Sequence, residues 1–226
     1  MKKIILISTI LCVIAGCKKG PVAVVKDPGP AQLPAGWQLA ESSDKTVSMA
    51  IAPGWRRGGA GSMNVMDMAT SGMGVEGTAQ DNGFSQQMEK EQQANDAEVA
   101  AELEKKGIVI SCIDGSRPIP GEARNQYMVK REKKGPMSLE DAAKDEKEHL
   151  VNEGEPKYID LPIGKAAYFH AVEEMKDGGT VTKIAYVICN GEDVYTITFV
   201  TEAQASIIEQ IAEPVIATLR IKPAKS

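Results

Sequence analysis

Asn190-Gly191 stands between two apolar runs, residues 180–189 and 194–201, and this arrangement constrains the fold more than any other feature of the chain. The dipeptide favours a two-residue turn with positive φ, which joins antiparallel strands. Upstream, Lys176-Asp177-Gly178-Gly179 separates residues 180–189 from a third run at 165–173. Three consecutive antiparallel strands follow, a meander on which the rest of the chain must pack. Residues 47–51 alternate apolar and polar and stop at Pro53-Gly54, so they read as a strand running into a turn, with Trp55 just beyond it. Residues 63–69 are strand-like and 71–82 form a glycine-rich loop. Residues 108–113 are a short apolar run, and 125–130 offer a further strand after the turn residues Pro118, Pro120 and Gly121.

Helical patterns fall between these runs. A polar helix is expected over 83–106, with Phe84, Met88, Val99 and Leu103 as its apolar members and Gly107 as its stop. A second, over 138–154, opens on Ser138 and Asp141 in a capping-box pattern. A third begins near Ala203 and places Ile207, Ile211, Val215 and Leu219 four apart on one face, with Pro214 positioned to kink or divide it. Helices interleaved with antiparallel hairpins imply an α+β fold: a mostly antiparallel β-sheet with helices packed on it, an α-β sandwich.

The first sixteen residues do not belong to that fold. Lys2 and Lys3 precede an apolar run over 4–15, too short to span a bilayer as a helix and of the kind found in a cleaved signal peptide. Ile14-Ala15-Gly16-Cys17 resembles a lipobox, in which the cysteine thiol receives a diacylglycerol and becomes the mature N-terminus. Cys17 is therefore the expected lipidation site. Loss of Lys2 and Lys3 lowers the net charge of −5 by two, to −7, leaving no basic field for nucleic acid. Residues 17–36, with Pro21, Pro28, Pro30 and Pro34, read as a semi-extended tether reaching up to roughly 60 Å at about 3 Å per residue. Residues 37–222 read as one domain, followed by a tail at 223–226.

Cys112 and Cys189 remain in the exported domain. An even pair in an oxidising compartment suits a disulfide, and two buried, unpaired thiols on strand faces are the alternative. Met63, Met66, Met68 and Met73 put four thioethers within eleven residues, a donor set that selects Cu(I); strand-core packing or an apolar partner surface are the other readings. Gly72-Met73-Gly74-Val75-Glu76-Gly77 matches GxGxxG, but the expected helix starts too late to receive a pyrophosphate. Glu146 and His149 have a metal-compatible spacing within a charged, solvated helix face, and His170 stands alone in a strand between Phe169 and Ala171. Without GxSxG, HExxH or a Cys-His pair, nucleophilic and hydrolytic catalysis lack their parts.

The order of Ala52-Pro53-Gly54-Trp55, a helix, Leu161-Pro162-Ile163-Gly164-Lys165-Ala166, a hairpin ending in Val194-Tyr195-Thr196-Ile197-Thr198-Phe199, and Ala217-Thr218-Leu219-Arg220-Ile221 resembles the PsbP-like superfamily. That group takes its name from an extrinsic protein of photosystem II and includes a Ran-binding factor and bacterial lipoproteins. The resemblance implies a PsbP-like fold and an accessory binding or assembly role in place of an enzyme's, and it carries over no ligand residues. The expectation is a lipoprotein of the cell envelope that binds a protein partner without catalysis. A Cu(I)- or small-ligand-binding lipoprotein using residues 63–73 is the alternative. Lys18 follows the acylated cysteine where aspartate would signal inner-membrane retention in enteric bacteria, which in a Gram-negative envelope favours the outer membrane, facing the periplasm.

Overall fold

The computed structural model describes residues 24–58, 101–114, 125–149, 154–174, 179–201 and 205–224. Its strands are β1 (Gln38–Glu41), β2 (Val47–Ile51), β3 (Trp55–Arg57), β4 (Ile108–Asp114), β5 (Gln126–Lys133), β6 (Lys157–Leu161), β7 (Gly164–Glu174), β8 (Thr180–Asn190), β9 (Asp193–Thr201) and β10 (Arg220–Ile221). Helix α1 is Leu139–His149 and helix α2 is Ala205–Ala217. Seven strands form one antiparallel sheet in the order β3-β4-β5-β9-β8-β7-β6, and β1-β2-β10 form a smaller one. The α+β architecture inferred from the sequence is the one present.

The expected meander is β7-β8-β9, with eight register pairs from Ala167↔Val187 to Glu174↔Thr180 and nine from Thr182↔Thr201 to Asn190↔Asp193. The turn differs from expectation by one residue. Asn190 is the last paired residue of β8, so the two-residue loop is Gly191-Glu192, and of these only Gly191 has positive φ, at 67°. This is the glycine-first pattern of a II′ turn. It leaves the Asn190 side chain free for long-range bonds.

Alternation along the strands sends side chains to two separate cores. Ile184, Tyr186 and Ile188 of β8, with Tyr195, Ile197 and Phe199 of β9, pack beneath α2 and the small sheet. Ala185, Val187 and Cys189, with Phe169 and Val194, pack beneath α1. On the first face the rings of Trp55, Tyr127, Phe199, Tyr186 and Tyr168 form a chain with centroids 5.0 to 6.1 Å apart, and the Tyr127 hydroxyl donates to the Ala50 carbonyl at 2.9 Å, joining the two sheets.

Ser138 caps α1 as anticipated: its Oγ accepts from the Asp141 amide at 3.1 Å and donates to the Asp141 carboxylate at 2.9 Å. Gly107 ends the helical turn over 101–105 with φ 78°, and a Cβ there would lie 2.6 Å from the Arg131 carbonyl, so β5 also requires glycine at this position. Helix α2 meets its expected face in part: Val215 and the following Leu219 are buried and Ile211 packs against the core, but Ile208, Ala212 and Ile216 are the other buried residues and Ile207 lies at the margin. Apolar residues come in adjacent pairs along α2, so two frames were open, and packing against β8 and β9 selects the second. Pro214 lies inside an undivided helix on its exposed side.

The loop joining β1 to β2 is fixed by polar bonds. Asp44 accepts from Ser42 and from the amide and hydroxyl of Thr46, and Arg131 Nη1 meets it at 2.6 Å. Burial acts to raise the Asp44 carboxyl, but hydrogen bonds from Ser42, Thr46 and Arg131 outweigh it and hold the group well below the usual carboxylate range. Its stabilising contribution is therefore present above the unfolded carboxyl value near 4 and is lost as pH falls below that. Because the side chain is 37% exposed, solvent screening limits the effect to about 1 kcal/mol or less. Urea titrations at pH 6 and pH 3 should show the wild type losing more stability than Asp44→Asn over this interval; equal losses would remove the Asp44 network from the account.

Candidate functional site

The geometry that bears on function lies where the N-terminal segment meets the body of the domain. Val25 is 5% exposed and belongs to the core beneath α2. Its amide donates to Asn190 Oδ1 across a long 3.5 Å, and the Lys26 amide donates to the Ile163 carbonyl at 2.8 Å. Farther along, Arg220 Nε donates to the Gly29 carbonyl at 2.7 Å and Nη2 reaches the Pro30 carbonyl at 3.5 Å. The expected semi-extended tether over 17–36 is corrected here for its described part, residues 24–36. Between Val25 and Pro30 the segment is docked, because an apolar side chain, a backbone amide and backbone carbonyls within it find partners on the body of the domain.

Asn190 is the centre of this arrangement. It is 3% exposed; its Oδ1 accepts from Val25 and, at 3.0 Å, from the Ala224 amide, while its Nδ2 donates to the Lys222 carbonyl at 2.8 Å. One buried amide thus ties the segment that enters the domain to the segment that leaves it. Gly191 permits the close approach of the tail, since a Cβ there would lie 2.7 Å from the Ala224 Cβ. Sequence reasoning treated Asn190 only as a turn residue. The apolar pair Val24-Val25 inside a proline-rich stretch was the signal that the segment docks.

Other expected site residues are dispersed. Cys17, the leader, Met63, Met66, Met68 and Met73, the glycine pattern at 72–77, the strand at 63–69 and the helix over 83–100 lie outside the described residues. Cys112 and Cys189 are both free thiols, 0% and 3% exposed. The disulfide alternative is corrected by sheet geometry. Cys112 shares the α2 face with its cross-strand partner Tyr127, Cys189 lies on the α1 face, and β5 and β9 stand between their strands. Three strand spacings of about 4.8 Å put them about 14 Å apart, beyond the ~7 Å Cα limit for a bridge. Burial raises both thiols to about 11, against a hydrogen bond with Tyr127 for Cys112 and reinforced by Glu140 and Asp141 for Cys189. Burial thus disfavours in both the thiolate form on which nucleophilic and metal-binding cysteines depend.

His149 Nδ1 donates to the Asp145 carbonyl at 2.8 Å, while Glu146 is buried. His170 Nε2 lies 3.8 Å from Glu209 Oε1 of α2. Among the described residues, no group of three or more His, Cys, Asp or Glu side chains is placed to hold a metal. An open groove of about 560 Å³ runs between α1 and β6, lined by Glu140, Lys144, Lys147, Pro156 and the half-exposed Tyr158. β6 is the last strand of the described sheet, so such an edge offers backbone groups for strand addition.

No family model and no curated protein matches the chain. Among solved structures, a crystal structure of a protein from Bacteroides thetaiotaomicron VPI-5482 aligns at 13% identity with a TM-score of 0.45, covering 83% of this chain and 49% of that one. The chain therefore spans about half the length of that protein.

Two outcomes follow. Alkylation after unfolding without reductant should modify both Cys112 and Cys189, whereas native protein should react slowly at each; failure to modify them in unfolded, unreduced protein would restore the disulfide. Asn190→Ala removes three bonds from a buried site and should cost about 2 kcal/mol. The same variant should open residues 24–34 to limited proteolysis while the core stays folded, and an unchanged digestion pattern would show that Asn190 does not hold the segment.

Proposed function

We propose that this protein is a lipid-anchored lipoprotein of the cell envelope whose domain serves as a non-catalytic binding or assembly module for a protein partner. The observation that carries the reading is Ile14-Ala15-Gly16-Cys17 behind a short, positively headed apolar leader, a pattern that supplies both export and an acyl anchor. The docked segment from Val25 adds to it. A chain held to the membrane at Cys17 and to the sheet end at Asn190 positions the domain, which suits a module that must meet a partner at a surface.

The PsbP-like resemblance supports an accessory role. Its four segments converge on one core: Trp55 stacks on Tyr127 at 5.0 Å, Tyr127 meets Phe199 at 5.3 Å, and Ile163 and Leu219 are buried in the same cluster. Residues at packed core positions carry the resemblance, which suits a scaffold for binding more than a catalytic site. The periplasmic face of the outer membrane is the proposed location, on the ground of Lys18 after the anchor. A Cu(I)-binding role remains the second proposal, resting on the four methionines at 63–73.

Cys17→Ser should shift the protein from the membrane fraction to the soluble fraction with its melting temperature unchanged, because two or three acyl chains are what make such binding stable. A variant that stays in the membrane fraction would refute the lipoprotein reading. In the anchored wild type, crosslinking in cells followed by recovery under denaturing conditions should yield a discrete adduct that Cys17→Ser loses.

A further inference from the structure

We propose that the end of the main sheet carrying the β6–β7 and β8–β9 turns faces the bilayer, held against the lipid headgroup surface by the docked N-terminal segment. This rests on the anchor reading above and adds an orientation to it. Two lengths decide it. Between Cys17 and Val25, the first docked residue, lie eight residue steps, which span at most about 29 Å when fully extended. The distance along β8 from Asn190 to Thr180 is ten residues, about 34 Å at the rise of a strand. The docking point is therefore tied within about 29 Å of the anchor, while the opposite end of the sheet, about 34 Å away, is farther from that point than the connection is long.

The docking point is defined by independent contacts. Lys26 is bonded to Ile163 in the β6–β7 turn, and Val25 is bonded to Asn190 beside the β8–β9 turn. The strand order β9-β8-β7-β6, all antiparallel, puts those two turns at the same end. The Lys134 and Gly135 amides, just beyond β5, donate to the Glu192 carbonyl there, and the tail is held at the same place through Lys222 and Ala224. Arg220 then carries residues 29–30 along the small sheet, so slack cannot pass back through the segment without breaking its bonds. Exposed charges of both signs, among them Lys133, Lys165, Glu192 and Asp160, share this end. Reach, not charge, sets the orientation, and the occupant is any bilayer surface, including one of zwitterionic lipid.

The test uses full-length lipidated protein in vesicles of phosphatidylcholine and phosphatidylethanolamine that carry a headgroup-attached acceptor dye. Cys112 and Cys189 are buried, so a donor dye can be placed on Glu192→Cys at the proposed near end or on Thr180→Cys at the far end, both exposed positions. Transfer should be several-fold greater from Glu192→Cys. Adding Val25→Asp, Asn190→Ala and Arg220→Ala removes the buried side chain and the side-chain bonds that dock the segment, which limited proteolysis at residues 24–34 verifies; the free connection then lengthens to Trp37 and the two transfers should become nearly equal. Equal transfer in the docked protein, greater transfer from Thr180→Cys, or an asymmetry that survives undocking would each overturn the orientation. Flotation of the same vesicles, read first, separates the two levels: protein that does not float refutes the anchor itself, and with it the orientation, whereas protein that floats without asymmetry refutes the orientation alone.

Discussion

Pairing of β8 with β9 is the interaction on which the remaining structure depends. From Ala185 to Asn190 every residue of β8 is buried, successive side chains entering different cores. Alternation in a pleated sheet turns one apolar ladder into two faces, and each face needs a cover. Helix α1 covers one and α2 with the small sheet covers the other. A register slip of one residue would exchange the faces and place Lys183, which pairs with Glu173 at 2.7 Å, in the α2 core. The II′ turn at Gly191-Glu192 fixes the register against that slip.

The same turn generates the site. Because the loop is Gly191-Glu192, Asn190 ends β8 with a buried amide side chain that no strand partner satisfies. Such a group must find partners or cost stability, and it finds them in the backbone of residues 25, 222 and 224. Chain entry and exit are thereby drawn to the end of the sheet that the meander defines. The proposed membrane orientation rests on this satisfied amide, on the Lys26–Ile163 bond beside it and on the short length of chain back to Cys17.

Much of the fold was legible because its signals are local. Alternating runs, the Asn190-Gly191 turn, the Ser138 cap and the Gly107 stop each act over a few residues, and each appears near its expected place. The strands β1, β3, β6 and β10 escaped notice because their two to five residues carry little periodicity, and β3 and β10 are in addition fixed by partners distant in sequence. The face of α2 was read only in part, with Val215 and Leu219 buried as expected but Ile208 buried in place of Ile207, because Ile207-Ile208, Ile211-Ala212 and Val215-Ile216 support two adjacent frames. Parity suggested a bridge between Cys112 and Cys189, but parity holds no information about which sheet face a residue takes. The clamp was hidden for a related reason: a turn signal describes the Asn190 backbone, whereas the site uses its side chain.

Amide hydrogen exchange at Lys26 tests the docked segment most directly. The account predicts that this amide, bonded to the Ile163 carbonyl at 2.8 Å, exchanges slowly in the wild type and loses protection in Asn190→Ala while the β8 amides stay protected. Exchange of Lys26 in the wild type at the rate of an unfolded chain would contradict the docking, and with it the short connection between the membrane anchor and the domain.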